Sequence, residues 1–212
     1  MRHHTWKAAA SAAAILLATM ALAGCGDDSN SGSVPGTNHG TKSTAAPSSA
    51  ATPAGEFNDA DVTFATQMIP HHQQALQMAS MAGYQATTPE VKQLATAIQA
   101  AQDPEIKLMS GWLTKWGKPV PSPQHGGHGT GEMPGMVTED DLHELGEQKG
   151  SMFDRMWILM MIKHHQGAVT MAKTEQTTGK DPAAIALAKK IETDQTREIA
   201  AMKRRLGQLP VS

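Results

Sequence analysis

FATQMIPHHQ, residues 64–73, and WILMMIKHHQ, residues 157–166, are two copies of one motif and align without a gap at an offset of 93 residues (64 to 157). The same offset superposes further identical residues: Asp61 on Asp154, Ala75 on Ala168, Met78 on Met171, Gln102 on Gln195, Glu105 on Glu198 and Met109 on Met202. So many matches at one fixed offset indicate an internal repeat, in which each copy folds as one supersecondary unit.

Each copy has the pattern of a helical hairpin. In the second copy, apolar residues recur at 158, 161, 162, 168, 169 and 172, which is the spacing of one helical face. Thr88 and Asp181 are candidate N-caps, and each is followed by proline at the first helical position, the combination expected at the start of a helix. The second helices are therefore predicted at about 89–116 and 182–207. Two such hairpins predict an all-α protein, an antiparallel four-helix bundle built from repeated hairpins.

The N-terminus has the pattern of an export signal. A short positive region precedes a run of small apolar residues that is too short for a confident membrane span. Cys25, the single cysteine, ends this run in a Leu-Ala-Gly-Cys sequence that resembles a bacterial lipobox. Residues 1–24 are thus predicted to be a lipoprotein signal peptide. Lipidated Cys25 would anchor an exported protein to the outer face of the cytoplasmic membrane or to the cell envelope.

The remaining chain divides by composition. Residues 25–56 are rich in Ser, Thr, Ala and Pro without an apolar period, which predicts a disordered tether. Residues 57–212 form the predicted folded domain. Its parts are repeat one at 57–117, a connecting loop with a short helix at 118–149, and repeat two at 150–209.

Composition excludes several classes of function. A net charge of −2 without a basic run argues against nucleic acid as a partner. One cysteine excludes a disulfide framework and a cysteine-rich zinc site. No nucleophile elbow or phosphate-binding loop occurs, so no catalytic residue is predicted. The sequence does not identify a protein partner.

The unusual feature of the composition is that 14 Met accompany 10 His. Eight of these residues occupy matching positions of the repeat and are the predicted metal ligands: Met68, His71, His72, Met78, Met161, His164, His165 and Met171. His72 and His165 fall on the core stripe of their helices, whereas His71 and His164 fall at its flank. Thioether with imidazole favours copper, as Cu(I) or Cu(II). Iron or manganese in a bundle requires more carboxylates and is less favoured.

A polar layer is predicted at mid-bundle. If the hairpins turn near residues 87 and 180, six core-facing side chains reach the same level: His72, Gln102, Glu105, His165, Gln195 and Glu198. One interpretation is a hydrogen-bonded layer that fixes helix register. The other is an inner metal site, or groups that orient the imidazole ligands.

The connecting loop adds four further candidate ligands for a soft metal ion: His125, His128, Met133 and Met136. A linker of biased composition is the alternative interpretation.

Both copies of the motif, with the Met133-Pro-Gly-Met136 segment and the paired Gln-x-x-Glu-Ile sequences, resemble the DUF305 family. The resemblance covers about residues 57–209. It implies a ferritin-like four-helix bundle, since the family is placed in that group. Many members are exported and some are associated with copper binding and tolerance, which implies an extracytoplasmic copper-binding role here.

Three functional hypotheses follow. The first is a lipoprotein that binds copper through the His/Met clusters for buffering, delivery or tolerance. The second is a ferritin-like oxidative enzyme with a metal centre on His72, Glu105, His165 and Glu198. The third is a non-catalytic envelope interaction module whose polar layer is structural.

Overall fold

The structure, a computed structural model, describes residues 57–122 and 133–210. The predicted signal peptide, the lipidation site Cys25, the tether and the loop residues His125 and His128 lie outside the described residues.

The described ranges contain five α-helices and no β-strand. They are α1 (Asp59–Gln85), α2 (Pro89–Lys115), α3 (Glu139–Glu147), α4 (Gly150–Thr178) and α5 (Pro182–Leu206). The predicted all-α class is confirmed, and α2 and α5 end within one residue of the expected positions. Across residues 57–122 and 133–210, no helix is both long and apolar enough to cross a membrane.

Side chains cap most of the helix starts. Asn58 accepts hydrogen bonds from the first turn of α1 in a capping box with Asp61. Asp181 accepts hydrogen bonds from the first turn of α5 without a capping box. Thr138 caps α3. Thr88 was also expected to cap its helix, but its hydroxyl instead donates to Asp154 at 2.9 Å. The start of α2 is therefore held by another helix rather than by its own cap.

The helices form two hairpins that pack through their first helices. α1 packs on α2, α4 packs on α5, and α1 packs against α4. The indole N–H of Trp157 in α4 donates to the carbonyl of Met78 in α1 at 2.8 Å. This contact joins the first half of α4 to the second half of α1, so the two helices run antiparallel. The predicted antiparallel four-helix bundle is confirmed, with α3 as an addition packed on α4.

Apolar residues form two core clusters, one toward each end of the bundle. The first cluster includes Met78, Ile98, Trp157 and Met161, together with residues of α3. The second comprises residues from the opposite halves of the same long helices: Phe64, Ala65, Met68, Ile69, Met109, Leu113, Trp116, Ala168, Met171, Ala172, Leu187, Ala188 and Ile191. The buried histidines of α1 and α4 lie in sequence between the two clusters, so polar groups interrupt an otherwise apolar core.

Two fully buried aspartates tie each hairpin to the turn of the other. Asp154 of α4 accepts hydrogen bonds from the backbone N–H and the hydroxyl of both Thr87 and Thr88, in the turn between α1 and α2. Asp61 of α1 accepts from the backbone N–H groups of Lys180 and Asp181, in the turn between α4 and α5. Asp61 and Asp154 occupy the same position of the repeat, so each hairpin holds the turn of the other through an aspartate. These two sets of hydrogen bonds are here called the interlock.

Glu175 of α4 gives the fold a pH dependence. Burial, together with the neighbouring Asp61 carboxylate, raises the pKa of the Glu175 carboxyl to about 8. Between its ordinary value of 4.5 and about 8, the folded chain thus holds a proton that the unfolded chain has lost. Stability is expected to fall as pH rises through this window. Thermal melts at intervals from about pH 5 to pH 9 should show a steeper decline for the wild type than for Glu175→Gln.

A matched control for that experiment is Glu147→Gln, at an exposed position at the end of α3. It should reproduce the wild-type profile. Parallel profiles for the wild type and Glu175→Gln would show that Glu175 is not the group responsible.

Candidate metal site

Four histidines lie in the interior of the bundle, and none of them is exposed to solvent. They are two adjacent pairs, His71 and His72 of α1 and His164 and His165 of α4. Adjacent helical residues differ by about 100° in direction. One member of each pair therefore faces its own hairpin partner, while the other faces the opposite hairpin.

His71 and His164 meet where the two hairpins face each other. Their ring centroids are 3.8 Å apart and the rings are tilted by 36°. The two residues occupy the same position of the repeat, so each hairpin contributes the equivalent histidine to the pair. Two imidazoles from different repeats are thus brought into contact.

The other two histidines are each held by a carboxylate. His72 Nε2 lies 2.9 Å from Glu105 of α2, and His165 Nε2 lies 2.6 Å from Glu198 of α5. A second donor, Lys190, contacts Glu105 at 2.8 Å. Burial alone would raise the pKa of the Glu105 carboxyl, but the hydrogen bonds from His72 and Lys190 outweigh burial and lower that pKa. The carboxylate stays ionised and fixes the direction of its imidazole, as carboxylates do behind metal-bound histidines.

These contacts leave the Nδ1 atoms of three histidines without partners: His71, His72 and His165. Each of these rings has its Nε2 in a hydrogen bond to an oxygen, so a neutral ring carries its proton there and keeps a lone pair on Nδ1. Burial lowers the pKa of His71 to about 3, and it also lowers the pKa of His72. Both rings are therefore neutral at physiological pH, which is the form that binds metals.

His164 is the most unusual of the four. Neither of its ring nitrogens has a hydrogen-bond partner, although the side chain is completely buried. Burial first, and the neighbouring histidines second, lower its pKa well below the ordinary range. Buried polar groups without partners are rare in native proteins and call for a functional or structural explanation.

A short segment before α3 covers the facing pair of histidines. Residues 134–137, here called the strap, contribute the Pro134 carbonyl, which accepts a hydrogen bond from His71 Nε2 at 3.1 Å. Gln74 of α1 forms a two-way hydrogen bond with the backbone of Val137, at 2.8 and 2.9 Å. His71 and His164, which were predicted at the flank of the core stripe, are both fully buried.

Gly167 of α4 makes room for the strap. A Cβ atom at this position would lie 1.8 Å from the Pro134 carbonyl oxygen, and Gly135 itself adopts a φ of +82°. Gly167→Ala should displace the strap and destabilise the protein by about 1–3 kcal/mol, the usual cost of overpacking. The loss of stability should appear as a lower melting temperature or a lower denaturant midpoint.

Gly83→Ala in α1 is the matched control, because a Cβ there meets nothing within 4 Å. It should stabilise the helix by about 0.5–1 kcal/mol. Equal changes in stability for Gly167→Ala and Gly83→Ala would contradict the close packing of the strap against Gly167.

Most of the other predicted ligands and polar residues in the described ranges are buried. Met68, Met78, Met161 and Met171 are buried in the two apolar clusters. Gln102 and Gln195 are also buried, with both amide atoms of Gln102 and Oε1 of Gln195 lacking partners. Met136 is 9% exposed and Met133 is half-buried. In the part of the chain that is described, no three His, Cys, Asp or Glu side chains converge as a metal-binding group.

Sequence reasoning missed the contribution of Gln74 and Gly167. They occupy the same position of the two repeats, and this mismatch of a long polar side chain with glycine was the available signal. One copy holds the strap by hydrogen bonds while the other provides the space for its backbone.

The fold and the site together define a class of protein, a four-helix bundle of two hairpins with paired histidines buried between them. Residues 61–206 match the family described as "Domain of unknown function (DUF305)". The chain belongs to this family.

Solved structures of relatives agree with this assignment. A DUF305 protein from Streptomyces coelicolor is 32% identical, with 70% of this chain and 91% of that one covered and a TM-score of 0.64. A DUF305 fragment from Deinococcus radiodurans is also 32% identical, with 72% and 98% covered and a TM-score of 0.65. CopM in its Cu(II)-bound form is 38% identical, with 70% and 96% covered and a TM-score of 0.61. A comparison with curated proteins gives no match.

Proposed function

We propose that this protein binds copper at the buried histidines and methionines of α1 and α4, and that it buffers or delivers the metal outside the cytoplasm. The single observation that carries the proposal is the set of buried imidazole nitrogens without partners. Copper would be the cargo of the protein, bound and passed on rather than used in a reaction.

The donor set fits copper in its reduced state. The buried imidazoles lie between two core clusters that contain methionines of both repeats. Soft thioether ligands select Cu(I), and imidazole also accommodates Cu(II). His71 and His164 would provide the first contacts, because their rings already face each other. Glu105 and Glu198 would orient His72 and His165 rather than bind the metal themselves.

The relatives support the choice of metal. CopM is described in Cu(II)-bound, Cu(I)-bound and silver-bound forms. Silver is a soft monovalent ion like Cu(I), so that relative accepts the same class of ion that thioether and imidazole would select here.

Export and lipid anchoring are part of the same proposal. Their support is the N-terminal sequence ending at Cys25, and the Streptomyces coelicolor relative is described as a secreted protein. An anchored copper protein at the envelope would meet copper before it reaches the cytoplasm. Labelling with a lipid precursor, compared between the wild type and Cys25→Ala, tests this part separately.

Metal titration tests the copper proposal. The protein, prepared without a histidine tag, should be titrated with Cu(I) against a chelator of known affinity, and with Cu(II) and Zn(II) in parallel. We expect saturable binding of Cu(I) and a rise in melting temperature, since a ligand of the native state stabilises it. Bound iron or manganese with oxygen consumption would favour the oxidative enzyme. An unchanged melting temperature with every metal would favour the structural module.

A further inference from the structure

A row of methionines runs along α4 toward His164. Met152, Met156 and Met160 precede His164 at steps of four residues. Since each helical residue turns by about 100°, four residues advance the row by about 40° around the helix. Met152 is 49% exposed, Met156 and Met160 are half-buried, and His164 is fully buried. The row therefore passes in steps from solvent into the core.

Helix geometry makes successive members of the row neighbours. Side chains four residues apart lie about 5–6 Å from each other at Cβ, and each Cα–Cβ bond tilts toward the helix N-terminus. His164 thus leans toward Met160, and Met160 toward Met156. Met156 and Met160 also pack against the first core cluster, which contains Met78. Helix geometry therefore places the three methionine positions in a series that begins at the surface and ends at His164.

The fold itself does not require methionine at these positions. In repeat one the equivalent residues before His71 are Asp59, Thr63 and Gln67, none of which contains sulfur. The same backbone thus forms with polar side chains there, so core packing alone does not account for three methionines in repeat two.

We propose that Met152, Met156 and Met160 are the path by which Cu(I) reaches the buried site, and that His164 is the first imidazole it meets. The inference rests on the proposed function. At each step one copper–sulfur bond forms as the previous one breaks, and the last step exchanges sulfur for a nitrogen of His164. Copper remains Cu(I) throughout, so no oxidant or reductant takes part. His164 suits the receiving position because neither of its nitrogens is engaged in a hydrogen bond.

A cavity near the site offers copper a rival route. A cavity of about 180 Å³ lies between α1 and α4, with Thr63, Gln67, Thr170 and Met171 in its lining. It also reaches Pro134, whose carbonyl holds His71. Copper entering there would meet His71 rather than the methionine row.

The rate of loading distinguishes the two routes. The full chain should be mixed in a stopped-flow instrument with Cu(I) bound to a coloured chelator, and transfer followed by the loss of colour. For Met156→Leu/Met160→Leu we expect loading to slow about ten-fold because two stabilised steps are removed. Release should slow equally, so that affinity and stoichiometry stay unchanged. Leucine has nearly the size of methionine and should preserve the fold.

Met202→Leu is the matched control, because Met202 is a buried methionine of the first core cluster on α5, outside the row. It should load at the wild-type rate. If Met156→Leu/Met160→Leu loads Cu(I) at the wild-type rate and keeps its copper affinity, the methionine row is not the path. The proposed function would still stand. Slower loading on filling the cavity with Thr170→Phe, without an effect of the row variants, would overturn the path in favour of the cavity. Failure of the wild type to bind Cu(I) at equilibrium would overturn both.

Discussion

His164→Leu is expected to raise the melting temperature of the metal-free protein while removing most of its affinity for copper. In the metal-free state His164 is buried with two unpartnered ring nitrogens. Each such group costs about 1–3 kcal/mol, whereas leucine fills a similar volume without polar atoms. A gain of about 2 kcal/mol corresponds to an increase of roughly 4–8 °C for a domain of this size.

The same substitution removes the proposed first imidazole ligand of copper. We expect the dissociation constant for Cu(I) to rise about 100-fold or more, which corresponds to about 2.8 kcal/mol. Stability and binding should therefore change in opposite directions, as expected for a group kept for function at a cost in stability.

His72→Leu is the matched control, since it makes the same chemical change in the neighbouring imidazole. His72 donates to the largely buried carboxylate of Glu105, and its removal leaves that charge with Lys190 alone. We expect a loss of about 1.5–3 kcal/mol, because the ionised carboxylate of Glu105 loses the hydrogen bond from His72 and a hydrogen bond to a charged group contributes about that much. Copper affinity should fall as well. The two leucine variants would thus agree in copper binding and differ in the sign of the stability change.

Calorimetry of the metal-free variants and competition titrations with Cu(I) measure both effects. A melting temperature of His164→Leu that drops as far as that of His72→Leu would mean that His164 is hydrogen-bonded in solution. Undiminished Cu(I) affinity of His164→Leu would remove this residue from the ligands.

The fold could be predicted because its determinants are local and repeated. The helical spacing in each copy predicts an individual helix, and Pro89 and Pro182 mark the starts of the second helices. The offset between copies then requires two hairpins of the same kind. The positions of the turns also predict which side chains lie at the same height in the bundle. The contacts of His72 with Glu105 and of His165 with Glu198 agree with that prediction.

Contacts between the hairpins could not be predicted in this way. Gln74 and Val137 are 63 residues apart, and the strap has no periodic pattern that indicates where it lies. The Pro134 carbonyl of that strap accepts the hydrogen bond from His71. Asp61 and Asp154 stood out as repeat matches, but their role depends on how α1 packs against α4. For the same reason Thr88 was interpreted as a local cap although its hydroxyl donates to Asp154.

Asp154→Ala is expected to be among the most destabilising single substitutions in the described part of the chain. Its carboxylate accepts four hydrogen bonds of 2.8–3.0 Å from Thr87 and Thr88 and is fully buried. Alanine would leave two backbone N–H groups and two hydroxyls without an acceptor and would release the turn between α1 and α2. We expect a loss of about 3–5 kcal/mol, because each bond to a charged group contributes about 1.5–3 kcal/mol and the four share one carboxylate. Chemical denaturation measures it directly.

Asp59→Ala in the first turn of α1 is the control, since Asp59 is exposed and contributes only through the helix dipole, about 0.3–1 kcal/mol. Asp154→Asn should lie between the two, because an amide of the same shape keeps an oxygen acceptor but loses the charge. If the hairpins are held together by this interlock, hydrogen exchange in Asp154→Ala should accelerate first at the start of α2, where Thr88 loses its partner. Uniformly faster hydrogen exchange along all four long helices would instead mean that Asp154 stabilises the bundle as a whole. A loss of stability no larger than that of Asp59→Ala would contradict the interlock itself.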